Sequence, residues 1–193
     1  MIRRFYDWTM RSASHKRAPE ALFAVSFIES SFFPIPPDVM LIPMVLANRA
    51  KAWWFAFLTT VGSVLGGLFG YFIGFALFDI VGRPLLELYG ALDQFHAFAN
   101  QYNEYGAWIV FIFGVTPFPY KVITIASGAT ALNIGVFLLA SIASRGLRFF
   151  VVAALLYWCG PAIRDFIEKR LGLLFTLFVI CLIGGFAAVR FLA

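Results

Sequence analysis

Apolar positions in this chain run in long blocks, neither alternating nor recurring at helical spacing against a polar face. Trp53–Val81 is a 29-residue block. As a helix it would extend ~43 Å, enough to cross a ~30 Å hydrocarbon core with tilt. Trp53 and Trp54 mark one interface. Ile134–Trp158 predicts a second span and Leu171–Leu192 a final, plain one with only Arg190 near its end.

Two further blocks are broken. Ala21–Ile28 runs into Glu29-Ser-Ser-Phe-Phe-Pro34-Ile-Pro36-Pro37-Asp38 before Val39–Ala47 resumes. Ala107–Val115 runs into Thr116-Pro117-Phe118-Pro119-Tyr120-Lys121 before a short run ends at Ser127-Gly128. Proline removes a backbone donor and cannot sit inside a regular helix. Val39–Ala47 is nine residues, or ~13 Å, about half a hydrocarbon core. Each block therefore predicts a re-entrant hairpin with its tip at Pro34 and Pro36, or at Pro117 and Pro119. Irregular backbone at that depth must face protein or a wet cavity.

Composition changes the picture only by excluding alternatives. Of 193 residues, 62% are hydrophobic and 13% charged, against about 45–50% apolar and 25% charged in soluble domains. A soluble globular protein, a disordered tail and a collagen-like chain are excluded. The expected fold is an all-α membrane protein in a single domain over 1–193: an amphipathic interfacial segment (1–20), a first hairpin plus span (21–81), an outer interfacial loop with an amphipathic helix (82–105), a second hairpin plus span (106–158) and the final span (171–192). The net charge of +5 lies at both chain ends and beside apolar runs. It fits an anionic membrane surface and implies no nucleic acid partner. Cys159 and Cys181 sit in apolar runs without metal or disulfide spacing. His15 and His96 lie in polar stretches. Gly62, Gly66, Gly70 and Gly74 recur every fourth residue and predict a groove where another helix packs closely.

An offset of 83 residues places Pro34 on Pro117, Pro36 on Pro119, Asp38 on Lys121 and Gly62 on Arg145. Each half is then a Pro-x-Pro hairpin followed by a span. A hairpin returns to its own side and the next helix crosses once, so the halves are inverted in topology, as in secondary transporters. With a cytoplasmic N-terminus, Arg49, Lys51, Arg164, Lys169 and Arg170 stay inside, obeying the positive-inside bias.

Glu29, Asp38, Lys121, Arg145 and Arg148 stand in apolar context near the tips or in mid-span. Each central charge costs about 2.5–3.5 kcal/mol on insertion scales, so these groups must pair or line a wet cavity. Mutual pairing that only joins the hairpins is one reading. The other uses the one surplus cation. Arg145 and Arg148 share a helix face, and guanidinium forks suit a phosphate. Glu29 or Asp38 could exchange a proton as its cationic partner binds an anion.

The stretch from Glu29 to Asp38 resembles the first motif of the DedA family: an acid, Phe-Pro-x-Pro, then a second acid nine residues after the first. Similar too are the Gly62/Gly66/Gly70-Tyr71-x-x-Gly74 helix, Thr116-Pro-Phe-Pro-Tyr-Lys121 leading to Ser127-Gly128, and Arg145-Gly146-x-Arg148. The nearest likeness is to the YqaA-type branch, over roughly 20–160, the VTT (SNARE-associated) region. The resemblance implies a bacterial inner-membrane protein whose relatives move undecaprenyl phosphate and phospholipids between leaflets in dependence on the proton gradient, with Glu29 and Asp38 as the acidic pair. Many members read Arg-Phe-x-Pro-x-x-Arg at the second hairpin. Here Gly114 and Tyr120 stand at the two Arg positions.

The leading expectation is a translocase for a phosphate-bearing lipid, with membrane lipids and protons as partners. A proton-coupled exchanger of a small solute or ion, and a non-transport assembly protein, are the rivals. An enzyme is not expected. Neither His lies in an apolar segment beside the charges, no Asp-x-x-Asp or Walker motif occurs, and no cofactor or metal is implied.

Overall fold

The computed structural model describes residues 17–31, 36–116 and 118–160. The basic N-terminal segment up to residue 16, Pro34, Pro117, His15, Cys181 and the expected final span lie outside the described residues. All regular elements within them are helical, as the apolar blocks require, since backbone polar groups must be satisfied within the segment in hydrocarbon.

Helix α1 (Ala18–Ser31) has Pro19 and Glu20 in its first turn, where a missing N–H costs nothing and a carboxylate meets the positive helix end. It begins within the stretch expected to lie along the interface. Helix α2 (Asp38–Ala47) starts after Pro37, whose φ of −65° is already helical. It contains Pro43 and stops at Asn48, whose φ of −145° leaves the helical region. A 3₁₀ turn over Arg49–Lys51 leads into α3 (Ala52–Leu77), which continues through a π-helical turn (Phe78–Gly82) into α4 (Arg83–Leu88). This continuous helix, Arg49–Leu88, spans 40 residues, longer than the 29-residue apolar block. An exposed Asp79–Arg83 pair spans its π-helical turn.

Gly90, at φ +62°, ends this helix in a conformation that glycine adopts without strain. The amphipathic α5 (Leu92–Glu104) follows. It docks through the Tyr102 hydroxyl on Ser127 Oγ (3.0 Å) and the Asn103 amide on the Thr130 carbonyl (2.8 Å). Helices α6 (Gly106–Val115) and α7 (Tyr120–Ala129) flank the second proline break. Asn133 then caps α8, Ile134–Gly160, its Oδ1 accepting from the Gly135 and Val136 N–H groups; this satisfies donors left orphaned at the helix start.

Helices α3 and α8 run antiparallel. Trp53 near the start of α3 packs on Phe150 and Tyr157 of α8, while Tyr71 near its end meets Phe137 and donates to the Leu132 carbonyl at 2.6 Å. Two apolar clusters divide the interior. One joins Leu22, Leu41, Met44, Val45 and Phe55 to Phe149 and Ala153. The other joins Tyr71, Val110, Tyr120 and Ile123 to Leu132 and Phe137. The first contains the first helix pair and the second contains the second, so both proline breaks converge toward the middle of α3 and α8.

Both breaks open the helix that follows in the same way. The Pro36 carbonyl accepts from the Val39 N–H at 3.2 Å, and the Pro119 carbonyl from the Val122 N–H at 3.1 Å. The offset of 83 residues read in the sequence holds for these two bonds.

The glycine groove on α3 receives two helices. A Cβ at Gly62 or Gly66 would strike the main chain of α1 at Phe23 or Phe27. One at Gly70 would strike Thr124, and one at Gly74 the main chain of α7 at Ile125. A single small-residue face thus seats one arm from each helix pair.

Candidate functional site

Arg145 and Arg148 lie near the middle of α8 and point at the two breaks. Arg145 is 1% exposed and is held on all sides. Its Nε donates to Ser63 Oγ of α3 at 2.7 Å, and its two terminal nitrogens donate to Glu29 Oε2 at the end of α1 (3.3 Å) and to the Gly114 carbonyl of α6 (3.4 Å). The rings of Tyr120 and Phe149 lie 4.7 and 4.6 Å from its guanidinium carbon, within the range of cation–π attraction. Arg148 donates to Asp38 Oδ2, in the first turn of α2, at 2.6 Å and to the Thr116 carbonyl at 2.9 Å.

Each arginine therefore binds one carboxylate from the first break and one main-chain carbonyl from the second. The carbonyl choice follows from helix geometry. Gly114 belongs to the last turn of α6, where carbonyls lack intrahelical partners and the helix dipole favours a cation. The carboxylate at Asp38 sits at a helix start, where negative charge is favoured.

Hydroxyl groups complete the arrangement. Ser30 Oγ donates to Glu29 Oε2 at 3.1 Å and shares a 2.7 Å bond with Ser63 Oγ. Ser26 donates to the Thr59 carbonyl and Ser31 to the Gly66 carbonyl. These bonds fasten α1 along α3. Thr124 of α7 donates to the Ser30 carbonyl at 3.3 Å, linking the two helix pairs directly.

Of the residues singled out in the sequence, Glu29, Asp38, Arg145 and Arg148 come together. Lys121 does not join them through an ion pair or side-chain hydrogen bond among the described residues; it is half-buried on the first turn of α7. Pro36 and Pro119 stand at the helix starts, and the four glycines form the packing face. Ser63, Ser30, Tyr120, Phe149 and the Gly114 and Thr116 carbonyls were not marked as site residues by the sequence. Their signal was present but weak. Gly114, through its carbonyl, and Tyr120, through its ring, both meet Arg145. A Cβ at Gly114 would collide with Ser144. Among the described residues, no three His, Cys, Asp or Glu side chains gather as a metal site would need. His96 is exposed on α5, and Cys159 is exposed near the end of α8.

The model of the VTT domain matches residues 35–158. An uncharacterized protein of Haemophilus influenzae is 39% identical over 166 residues, 86% of each chain. An uncharacterized protein of Histophilus somni is 41% identical over 155 residues, 80% of this chain and 81% of its own. No solved structure matches. The match covers Pro36, the second proline break, the glycine face and both arginines, and with it the chain belongs to the VTT-domain, or DedA, family of membrane proteins.

Proposed function

We propose that this protein moves a phosphate-bearing lipid, a polyprenyl phosphate or a phospholipid, between the leaflets of the bacterial inner membrane. The observation that carries the reading is the pair of mid-helix arginines, each tying a carboxylate of one break to a carbonyl of the other. In this reading the helix pairs α1–α2 and α6–α7 are re-entrant hairpins that enter from opposite faces, with the N-terminus cytoplasmic. Their meeting point then lies near the midplane, where transporters of inverted topology place their sites.

A phosphate is a stronger, multidentate partner for a guanidinium than a single carboxylate oxygen. It can take an arginine from its carboxylate while the acyl or prenyl tail stays in the bilayer. The carboxylate that loses its partner is stabilised by taking a proton, which couples lipid movement to the proton gradient. Lys121 adds a cation at the second break.

The test is leaflet-to-leaflet movement of labelled polyprenyl phosphate and phospholipid in liposomes holding the purified protein, with and without a pH gradient. Movement that is lost in Glu29→Gln and Arg145→Ala supports the reading. Absence of lipid movement in folded protein, with ion flux present, gives the small-solute exchanger instead. The complete caging of Arg145 favours a second reading, a static assembly role. In that case neutral, size-matched pairs at 29/145 and 38/148 would leave cellular function intact.

A further inference from the structure

We propose that the two arginines have unequal tasks: Arg145 is a fixed positioning residue, and Arg148 is the guanidinium that meets the phosphate. This rests on the lipid-phosphate reading above and names the contact residue within it.

The direction of the hydrogen bonds makes the Arg145 side a closed ring. Arginine only donates, so Ser63 Oγ accepts from Arg145 Nε, and because the Ser30 hydroxyl donates to Glu29, Ser63 is the donor to Ser30 Oγ. Ser30 in turn donates to Glu29 Oε2, which also accepts from Arg145. Every hydroxyl proton in the ring has one available place. Withdrawing Arg145 breaks three bonds, to Glu29 Oε2, Ser63 Oγ and the Gly114 carbonyl. Tyr120 and Phe149 cover the guanidinium, and Arg145 is 1% exposed. A phosphate has no approach to it.

The Arg148 side is built differently. Arg148 and Asp38 are 18% and 21% exposed. Among the described residues no ring lies as close to Arg148 as the two that cover Arg145; Phe149 is 5.8 Å away. Among the described residues, Asp38 holds the arginine through Oδ2 alone, and its buried Oδ1 has no hydrogen-bond partner. The Asp38 carboxylate is thus half-satisfied, whereas Glu29 Oε2 accepts twice. Opening Arg148–Asp38 breaks one bond and leaves a carboxylate with some access to solvent. Helix α1, which bears Glu29, is fastened to α3 by Ser26, Ser30 and Ser31. Helix α2, which bears Asp38, has no side-chain hydrogen bond to its neighbours, among the described residues, other than Asp38 to Arg148. The exchange with phosphate belongs to the second pair.

The experiment measures binding of a short-chain alkyl phosphate to purified protein in detergent by calorimetry, and lipid movement in liposomes. The expected results are Asp38→Asn binding the alkyl phosphate at least 5-fold more tightly than wild type, with no such gain in Glu29→Gln, and Arg148→Gln binding it at least 10-fold more weakly. If Arg148→Gln fails to fold, Arg148→Lys, which keeps the charge but not the fork, is read in its place. A disulfide between Ser30→Cys and Ser63→Cys, in a background where Cys159 and Cys181 are Ala, fixes α1 to α3. Its oxidised form is expected to move lipid within 2-fold of its reduced form. A gain in affinity in Glu29→Gln but not in Asp38→Asn, or lipid movement abolished by the disulfide and restored on reduction, overturns the assignment while leaving the lipid reading in place. Absence of alkyl phosphate binding in folded wild type overturns both.

Discussion

Replacing Gly66 by Ala tests how α1 is held. The new Cβ would collide with the Phe27 carbonyl oxygen and lie 2.8 Å from the Phe27 carbonyl carbon and Cα. Carbon atoms settle at about 3.5–4.0 Å, and main chain cannot rotate aside as a side-chain end can. Helix α1 must therefore retreat by about 1 Å, which overpacked interiors accommodate at a cost of about 1–3 kcal/mol. Ser26–Thr59, Ser30–Ser63 and Ser31–Gly66, at 2.6, 2.7 and 3.0 Å, would stretch beyond hydrogen-bond reach. Bonds between membrane helices are worth about 0.6 kcal/mol each on average, so the three together add about 2 kcal/mol. The better helix propensity of Ala returns about 1 kcal/mol. The net expectation is a loss of about 2–4 kcal/mol. Gly146→Ala is the control. Its Cβ would meet only Thr60 Cγ2 at 3.9 Å, an ordinary contact, so this variant is expected to be neutral or to gain up to about 1 kcal/mol. Unfolding in mixed micelles with rising SDS, followed by tryptophan fluorescence, reads both. Gly66→Ala unfolding within about 0.5 kcal/mol of wild type would refute the close-approach argument.

Other outcomes follow from the same geometry. Glu29→Ala strands Arg145 in the interior and is expected to cost about 3–5 kcal/mol, whereas Glu29→Gln keeps an acceptor and costs less; the same SDS titration ranks them. Asn133→Ala removes the cap of α8 and is expected to cost about 1 kcal/mol, read as a lower midpoint of unfolding. Tyr102→Phe loses the bond to Ser127 and about 1 kcal/mol, seen as faster amide exchange in α5. Burial pushes the Tyr102 phenol above its ordinary value of 10.0, with the Ser127 bond opposing. The docked state thus favours the neutral phenol: docking of α5 is fully stable below pH 10 and weakens as pH rises through the raised value. Amide exchange in α5 that stays unchanged from pH 9 to pH 11, after correction for intrinsic rate, would contradict that sign.

Local chemistry explains how much was legible in the sequence. In hydrocarbon every backbone group must be satisfied nearby, so apolar blocks become helices, and clustered prolines such as Pro34-Ile35-Pro36-Pro37 break them, whereas the lone Pro43 stays inside α2. The two long spans, the breaks at Pro36 and Pro119 and the small-residue face of α3 could all be read that way. So could the need for Glu29, Asp38, Arg145 and Arg148 to find partners, because an unpaired charge there is too costly. Which charge meets which was not legible. Arg145 and Glu29 are 116 residues apart and Arg148 and Asp38 are 110 apart, and their pairing depends on helix rotation that no local pattern encodes. The glycine face predicted a close neighbour but not that α1 would take one half and α7 the other. The hydroxyl ring through Ser30 and Ser63, and the caging of Arg145 by Tyr120 and Phe149, exist only because tertiary packing brings four helices to one point. The sequence determined where the chain must bend and where charge must be paired, because those demands are met within a few residues. The tertiary structure alone decided that one pair is closed and the other half-open, because that depends on what distant helices place around each guanidinium.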